Sequence, residues 1–152
     1  MLILDSALRL TQRLGLMNFS PKKPVFLNFL RYGYVSIWNH FLCYIPSYVL
    51  RKYILVNLFR AQIGKSNIHM GVKVFSPWKL VVGDGSNLQY GSFLDCRGGL
   101  YIGNNVDVTI GVKILTQDHD VRSKTYLTRS RCVTIEENVV VGSFALILPG
   151  AS

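Results

Sequence analysis

The chain has 152 residues, 49% of them hydrophobic, with 17 Lys and Arg against 8 Asp and Glu for a formal charge of +9. That length suffices for one domain with a sizeable core, and the charge draws polyanions such as nucleotide phosphates or anionic lipid to the surface. No nucleic-acid motif is present. Cys43, Cys96 and Cys132 form no C-x-x-C pair or disulfide framework, and the chain opens on no signal-peptide pattern, which points to a cytoplasmic protein.

Residues 1–19 are expected to form a short helix, followed by a turn at Ser20-Pro21-Lys22-Lys23-Pro24. The aromatic and aliphatic stretch from Val25 to Tyr44 predicts a second helix, broken at Pro46-Ser47 with Ser47 as the N-cap of a third. That third helix runs from about Tyr48 to Arg60. Val49, Leu50, Tyr53, Ile54 and Leu58 fall on one face, and Arg51, Lys52 and Arg60 on the other. Asn39, His40 and Pro46 interrupt every window approaching the ~20 apolar residues of a membrane span. These helices are expected to pack against the rest of the chain or a neighbouring subunit. Peripheral docking on a membrane face is the alternative that their aromatic and basic residues allow. The expected division is a helical region at 1–62 and a second domain at 63–152.

From Val82 onward the chain repeats every six residues as an aliphatic residue, three variable ones, a small one and a variable one. The hexads start at Val82, Leu88, Leu94, Ile102, Val108, Ile114, Ile135, Val141 and Ile147. Their fifth places hold Ser86, Ser92, Gly98, Val106, Val112, Asp118, Val139, Ala145 and Ala151. So short a period is the signature of a parallel β-helix, in which three hexads close one triangular coil and the aliphatic residues point into the prism. The hexads give coils at 82–99, 102–119 and 135–152, and residues 68–81, with Ile68, Val72, Val74 and Leu80, read as a less regular coil leading in. The fold class is thus mainly β, with about three to four coils behind an N-terminal helical segment.

Two interruptions break the rhythm. Leu100 and Tyr101 are extra residues between two coils, and Asp120 to Thr134 lacks the pattern altogether. Because the hexads resume at Ile135, residues 120–134 are expected as a loop thrown out from one corner. Structureless loops of this length in compact domains are often functional, and this one holds Arg122, Lys124, Arg129 and Arg131.

Residues 75–86 (FSPWKLVVGDGS), 94–106 (LDCRGGLYIGNNV), 114–120 (ILTQDHD) and 139–152 (VVVGSFALILPGAS) resemble the hexapeptide-repeat acyltransferases. The likeness is greatest to the maltose and galactoside O-acetyltransferases and the colanic-acid and capsule O-acetyltransferases. It implies a left-handed β-helix, acetyl-CoA as acyl donor, and a sugar or surface-polysaccharide precursor as acceptor. It also implies a homotrimer with each active site between two subunits, working in the cytoplasm or at the inner face of the membrane. Such relatives commonly run on for another coil beyond the Ile147 hexad, on which this chain stops. The alternative reading is therefore a truncated, catalytically inactive repeat protein with an assembly or membrane-surface role.

His119 ends the sixth hexad between Asp118 and Asp120, and Asp118 stands where the other hexads place a small or β-branched residue. A local rule broken beside a histidine marks a functional site. An imidazole, titrating ordinarily near ~6.5, can take the proton that makes a sugar hydroxyl nucleophilic. The resemblance implies that His119 is this general base. Asp118 and Asp120 are expected on the substrate side, where they could orient the ring or raise its basicity. Asp95, one coil below, is expected to contact the acceptor. Trp78 is read as a core or interface filler, His69 as a packing or surface residue and His40 as structural. The three histidines show no paired spacing, so no metal site is expected.

Overall fold

The computed structural model describes residues 25–152. The helix expected at 1–19 and the turn at 20–24 lie outside the described residues. Residues 32–152 make up one compact unit. It begins in helix α1 (Val25–His40), continues through a short 3-10 turn (Leu42–Tyr44) and helix α2 (Tyr48–Asn57), and then becomes a stack of short strands. Ser47 caps α2 as expected, its hydroxyl accepting from the Leu50 N–H at 3.3 Å.

Twelve strands wind into four coils of three. The first coil holds β1 (Gln62–Ile63), β2 (Asn67–Ile68) and β3 (Lys73–Phe75), and the second β4 (Leu80–Val82), β5 (Asn87–Leu88) and β6 (Phe93–Asp95). The third holds β7 (Leu100–Ile102), β8 (Asp107–Val108) and β9 (Lys113–Ile114). Two further strands, β10 (Gln117–His119) and β11 (Thr128–Ser130), stand outside the stack. The fourth coil is β12 (Val133–Ile135), β13 (Val140–Val141) and β14 (Leu146–Ile147). Each wall of the prism is a parallel sheet that takes one strand from every coil.

The register explains the hexads. Ile63, Val82, Ile102 and Ile135 stack in one column, Ile68, Leu88, Val108 and Val141 in a second, and Val74, Leu94, Ile114 and Ile147 in a third. Nearly all of these side chains are buried, and each is worth ~1.5–3 kcal/mol relative to exposure. The small fifth residue serves the corner between walls. The Ser66 hydroxyl donates to the Gly83 carbonyl at 2.6 Å and accepts from the Ser86 N–H at 2.8 Å. Ser86 repeats this with the Gly103 carbonyl and the Val106 N–H. Valine takes this corner in the next two coils, at Val106 and Val139, where no hydroxyl can make these bonds.

Three expectations need correction. Leu100 and Tyr101 are not an insertion but belong to β7, whose Leu100 and Ile102 both face the core, as Leu80 and Val82 do in β4 and Val133 and Ile135 in β12. The lead-in coil starts at Gln62 rather than 68, because Ile63 and Ile68 are five residues apart and fall out of the six-residue count. The face of α2 also turns over. Val49 is 80% exposed and Tyr53 63%, whereas Arg51 is buried in line with Leu55 and Phe59.

Arg51 goes inside because the first coil and the turn between the helices each offer it a carbonyl. Its Nε and Nη2 donate to the Ile68 carbonyl at 3.0 and 2.7 Å, its Nη1 to the Ile45 carbonyl, and its guanidinium lies 4.8 Å from the centre of the Tyr48 ring. Trp38 Nε1 donates to the Val72 carbonyl. The Asn39 amide donates to the Val74 carbonyl and accepts from the Val74 N–H, as a neighbouring strand would. The helical segment thus covers an edge of the first coil that would otherwise invite other chains to pair.

Candidate active site

The excursion from the third coil is an ordered antiparallel hairpin that starts earlier than the expected loop. Gln117 faces Ser130, Asp118 faces Arg129 and His119 faces Thr128, while Val133 and Thr134 already belong to the fourth coil. Its neck closes over Gly98, where the Thr116 hydroxyl accepts from the Gly98 N–H at 2.7 Å and the Thr116 carbonyl accepts from the Arg131 N–H at 2.9 Å. A Cβ on residue 98 would come within 2.4 Å of that carbonyl, so the small residue here makes room for the hairpin. Asp118 therefore breaks the hexad rule for a plain reason: the chain has left the prism, and Thr116 is the last buried residue before it does.

Within the hairpin the cross-strand partners settle each carboxylate. Asp118 receives Arg129 Nε at 2.9 Å and Nη2 at 2.7 Å, a two-pronged pair set by their opposed register. Those hydrogen bonds, joined by the positive charges of Arg129, Arg131 and His119, hold the Asp118 carboxyl below its ordinary value. In return Arg129 is raised by Asp118. Asp120 organises the turn, accepting from the Arg122 N–H at 3.0 Å, with Arg129 Nη1 at 3.9 Å.

His119 is exposed, and its Nδ1 lies 2.9 Å from the Tyr126 carbonyl. A carbonyl can only accept, so Nδ1 is the donor in this contact, and in the neutral imidazole the lone pair then lies on Nε2. Tyr126 adopts φ 47°, a left-handed conformation that few large residues take up. Backbone outliers of this kind gather at functional sites. The ring is thus oriented by a main-chain carbonyl rather than by either neighbouring carboxylate, and sequence pattern gives no signal for that partner. Arg129 did stand out, but only as one cation of a loop.

Asp95 sits apart from this group. It is buried at the end of β6, where it takes Arg97 Nε at 2.8 Å, Nη2 at 3.0 Å and the Arg97 N–H at 3.1 Å, so its oxygens are already engaged by its own chain. The half-exposed Arg97 guanidinium is what reaches solvent there. Cys96 is fully enclosed, and burial pushes its thiol far up, which removes it as a nucleophile. Trp78 lies in a 3-10 turn (Pro77–Lys79), partly buried. His69 packs edge-on against Tyr48 at 5.0 Å between ring centres, and His40 binds back to the Ser36 carbonyl on α1.

No model of a known family matches the sequence, and no curated protein does. Solved structures do match. A hexapeptide-repeat containing acetyltransferase from Vibrio cholerae superposes with a TM-score of 0.61 at 16% identity, over 82% of this chain and 70% of its own. A maltose O-acetyltransferase from Clostridium difficile 630 superposes with a TM-score of 0.57 at 18% identity, over 86% and 81%. The fold is the left-handed parallel β-helix. It is an exception to the right-handed rule for crossovers between parallel strands.

Proposed function

We propose that this chain is an acyl-CoA-dependent O-acyltransferase, an acetyltransferase by choice of donor, acting on a hydroxyl of a sugar or surface-polysaccharide precursor. The observation that carries the reading is the contact of His119 Nδ1 with the Tyr126 carbonyl at 2.9 Å. With Nδ1 donating to that carbonyl on an exposed residue, Nε2 is the atom that would take a proton from an incoming hydroxyl, which supports the reading. The likeness of fold to two acetyltransferases supports the same reading.

In the proposed reaction Nε2 removes the hydroxyl proton as the oxygen attacks the thioester carbonyl, forming a C–O bond. The tetrahedral intermediate then collapses, the C–S bond breaks, and the departing sulfur takes the proton back from the imidazolium. Positive charge on Nε2 is tolerated because Asp118 and Asp120 stand on either side of His119, though both are tied to arginines. Arg122, Lys124 and Arg131, exposed on the same hairpin and its neck, would attract the donor's phosphates. Asp95 enters the proposal only through Arg97, which offers a cation rather than a carboxylate to an acceptor.

The assembly we propose is a homotrimer in the cytoplasm, with each hairpin facing a groove shared with a neighbour. Tyr90, Ile110 and Phe144 support it: they are exposed apolar side chains at successive levels of one prism edge. The test of the chemistry is thiol release from acetyl-CoA with a panel of sugar acceptors. His119→Ala should lower kcat by ~10²–10⁴-fold. Full activity in that variant would remove His119 as the base, and no turnover by the unaltered chain would favour the inactive, assembly-only alternative.

A further inference from the structure

Charge is segregated along this sequence to an unusual degree. Between Ser6 and Gly83 there is no Asp or Glu and there are eleven Lys and Arg, whereas residues 84–152 carry six Lys and Arg against seven Asp and Glu. The acid-free part includes α2 and the first coil, and between them runs an open groove of about 480 Å³. Val49, Tyr53, Val56 and Ile63 give it an apolar lining, and Lys52 and Lys65 stand among them. Asp84, from the second coil, turns its carboxylate to the Lys65 backbone N–H at 2.6 Å.

The α2 face beside the groove is held outward by construction. With Arg51 committed to the Ile68 and Ile45 carbonyls, Val49, Leu50 and Tyr53 have nowhere to go but solvent. Tyr48, half-exposed, is fixed between Arg51 and His69. A tyrosine-rich apolar surface set among lysines, in a stretch with no Asp or Glu between residues 6 and 83, is the chemistry of a helix lying in the headgroup region of an anionic bilayer. We infer that α2 and the adjoining groove dock this protein on an anionic membrane surface, with Val49 and Tyr53 entering the interface and Lys52 and Lys65 meeting lipid phosphates. A second copy presenting the same face would set cation against cation, with no acid between residues 6 and 83 to relieve it. The inference is independent of the acyl-transfer proposal and would bring the chain to lipid-borne acceptors.

The test is co-sedimentation of the full 152-residue chain with vesicles of phosphatidylcholine alone, and of phosphatidylcholine with one third phosphatidylglycerol. Binding should appear with the anionic vesicles and weaken as salt rises. The double variant Lys52→Ala/Lys65→Ala should bind roughly thirty-fold more weakly, at about 1 kcal/mol for each lysine near the surface. Val49→Ser/Tyr53→Ser should also weaken binding and abolish the part that survives high salt. Equal sedimentation with both vesicle types, or no loss in either double variant, overturns the inference. Binding that vanishes in salt, ignores Val49→Ser/Tyr53→Ser and is matched on duplex DNA would mean a general polyanion surface, and also overturns it.

Discussion

The proton on His119 is held by a carbonyl whose position depends on the turn between β10 and β11, and that turn is braced by Asp118 with Arg129 and by Asp120 with the Arg122 N–H. A pH dependence of the hairpin follows. Arg129 keeps the Asp118 carboxyl below its usual value, so the ionised pair stabilises the hairpin fully above the ordinary carboxylate range. That contribution is lost only as pH falls through the lowered value. Amide exchange at residues 117–130 should therefore show the same protection at neutral and at mildly acidic pH, and loosen in stronger acid. Arg129→Gln removes the pair, so protection should be weaker already at neutral pH and its step in strong acid should disappear. Protection that already fades near neutrality in the unaltered chain would mean another group holds the hairpin. At this scale the sequence singles out His119 as a candidate, because a histidine between two aspartates at the end of a hexad stands out. It carries no sign of the ring's partner, since no sequence pattern marks a carbonyl acceptor.

Among elements, what could be read was whatever repeats. All nine hexad-leading residues fall in the three inward columns, because a prism wall needs an aliphatic residue at each level whatever surrounds it. The lead-in coil was read from 68 and its start at Gln62 missed, because its Gly64–Asn67 corner is one residue shorter than the Gly83–Asn87 corner, which is enough to lose the count. Helix α2 misled for a different reason. Hydropathy takes an arginine as outward-facing, yet five N–H donors suit it to a site where strand carbonyls lack partners. Arg51→Met is the decisive substitution. It keeps much of the volume but leaves the Ile68 and Ile45 carbonyls buried without donors, so the chain should lose about 3 kcal/mol of unfolding free energy. Arg51→Lys should lose nearly as much, because one ammonium cannot span both carbonyls in the guanidinium's geometry. Urea unfolding followed by circular dichroism would measure both, and a change under about 1 kcal/mol would show that the helix is held by Trp38, Leu55 and Phe59 packing alone.

For the whole molecule, the two surfaces argued above lie on different parts of the chain and should answer to different perturbations. The proposed assembly rests on the edge carrying Tyr90, Ile110 and Phe144. Phe144 itself sits at φ 61°, in the place where the coil below has Gly111, and its ring covers that glycine so closely that a Cβ there would fall 2.6 Å from the ring. A large apolar residue kept in a left-handed turn and 77% exposed is poorly accounted for in a lone subunit. Three copies in a closed ring would cover three such edges with one repeated contact, since a head-to-tail interface closes when its rotation permits. Light scattering should then give a mass three times the 17.2 kDa of the chain, and Phe144→Asp with Tyr90→Asp should give 17.2 kDa with the β-sheet circular dichroism unchanged. If the acceptor groove is shared between neighbours, that monomer should lose transfer despite an intact His119, yet still sediment with anionic vesicles through Lys52 and Lys65. A monomeric variant that retained transfer would put the whole site within one chain and confine the edge to a structural role.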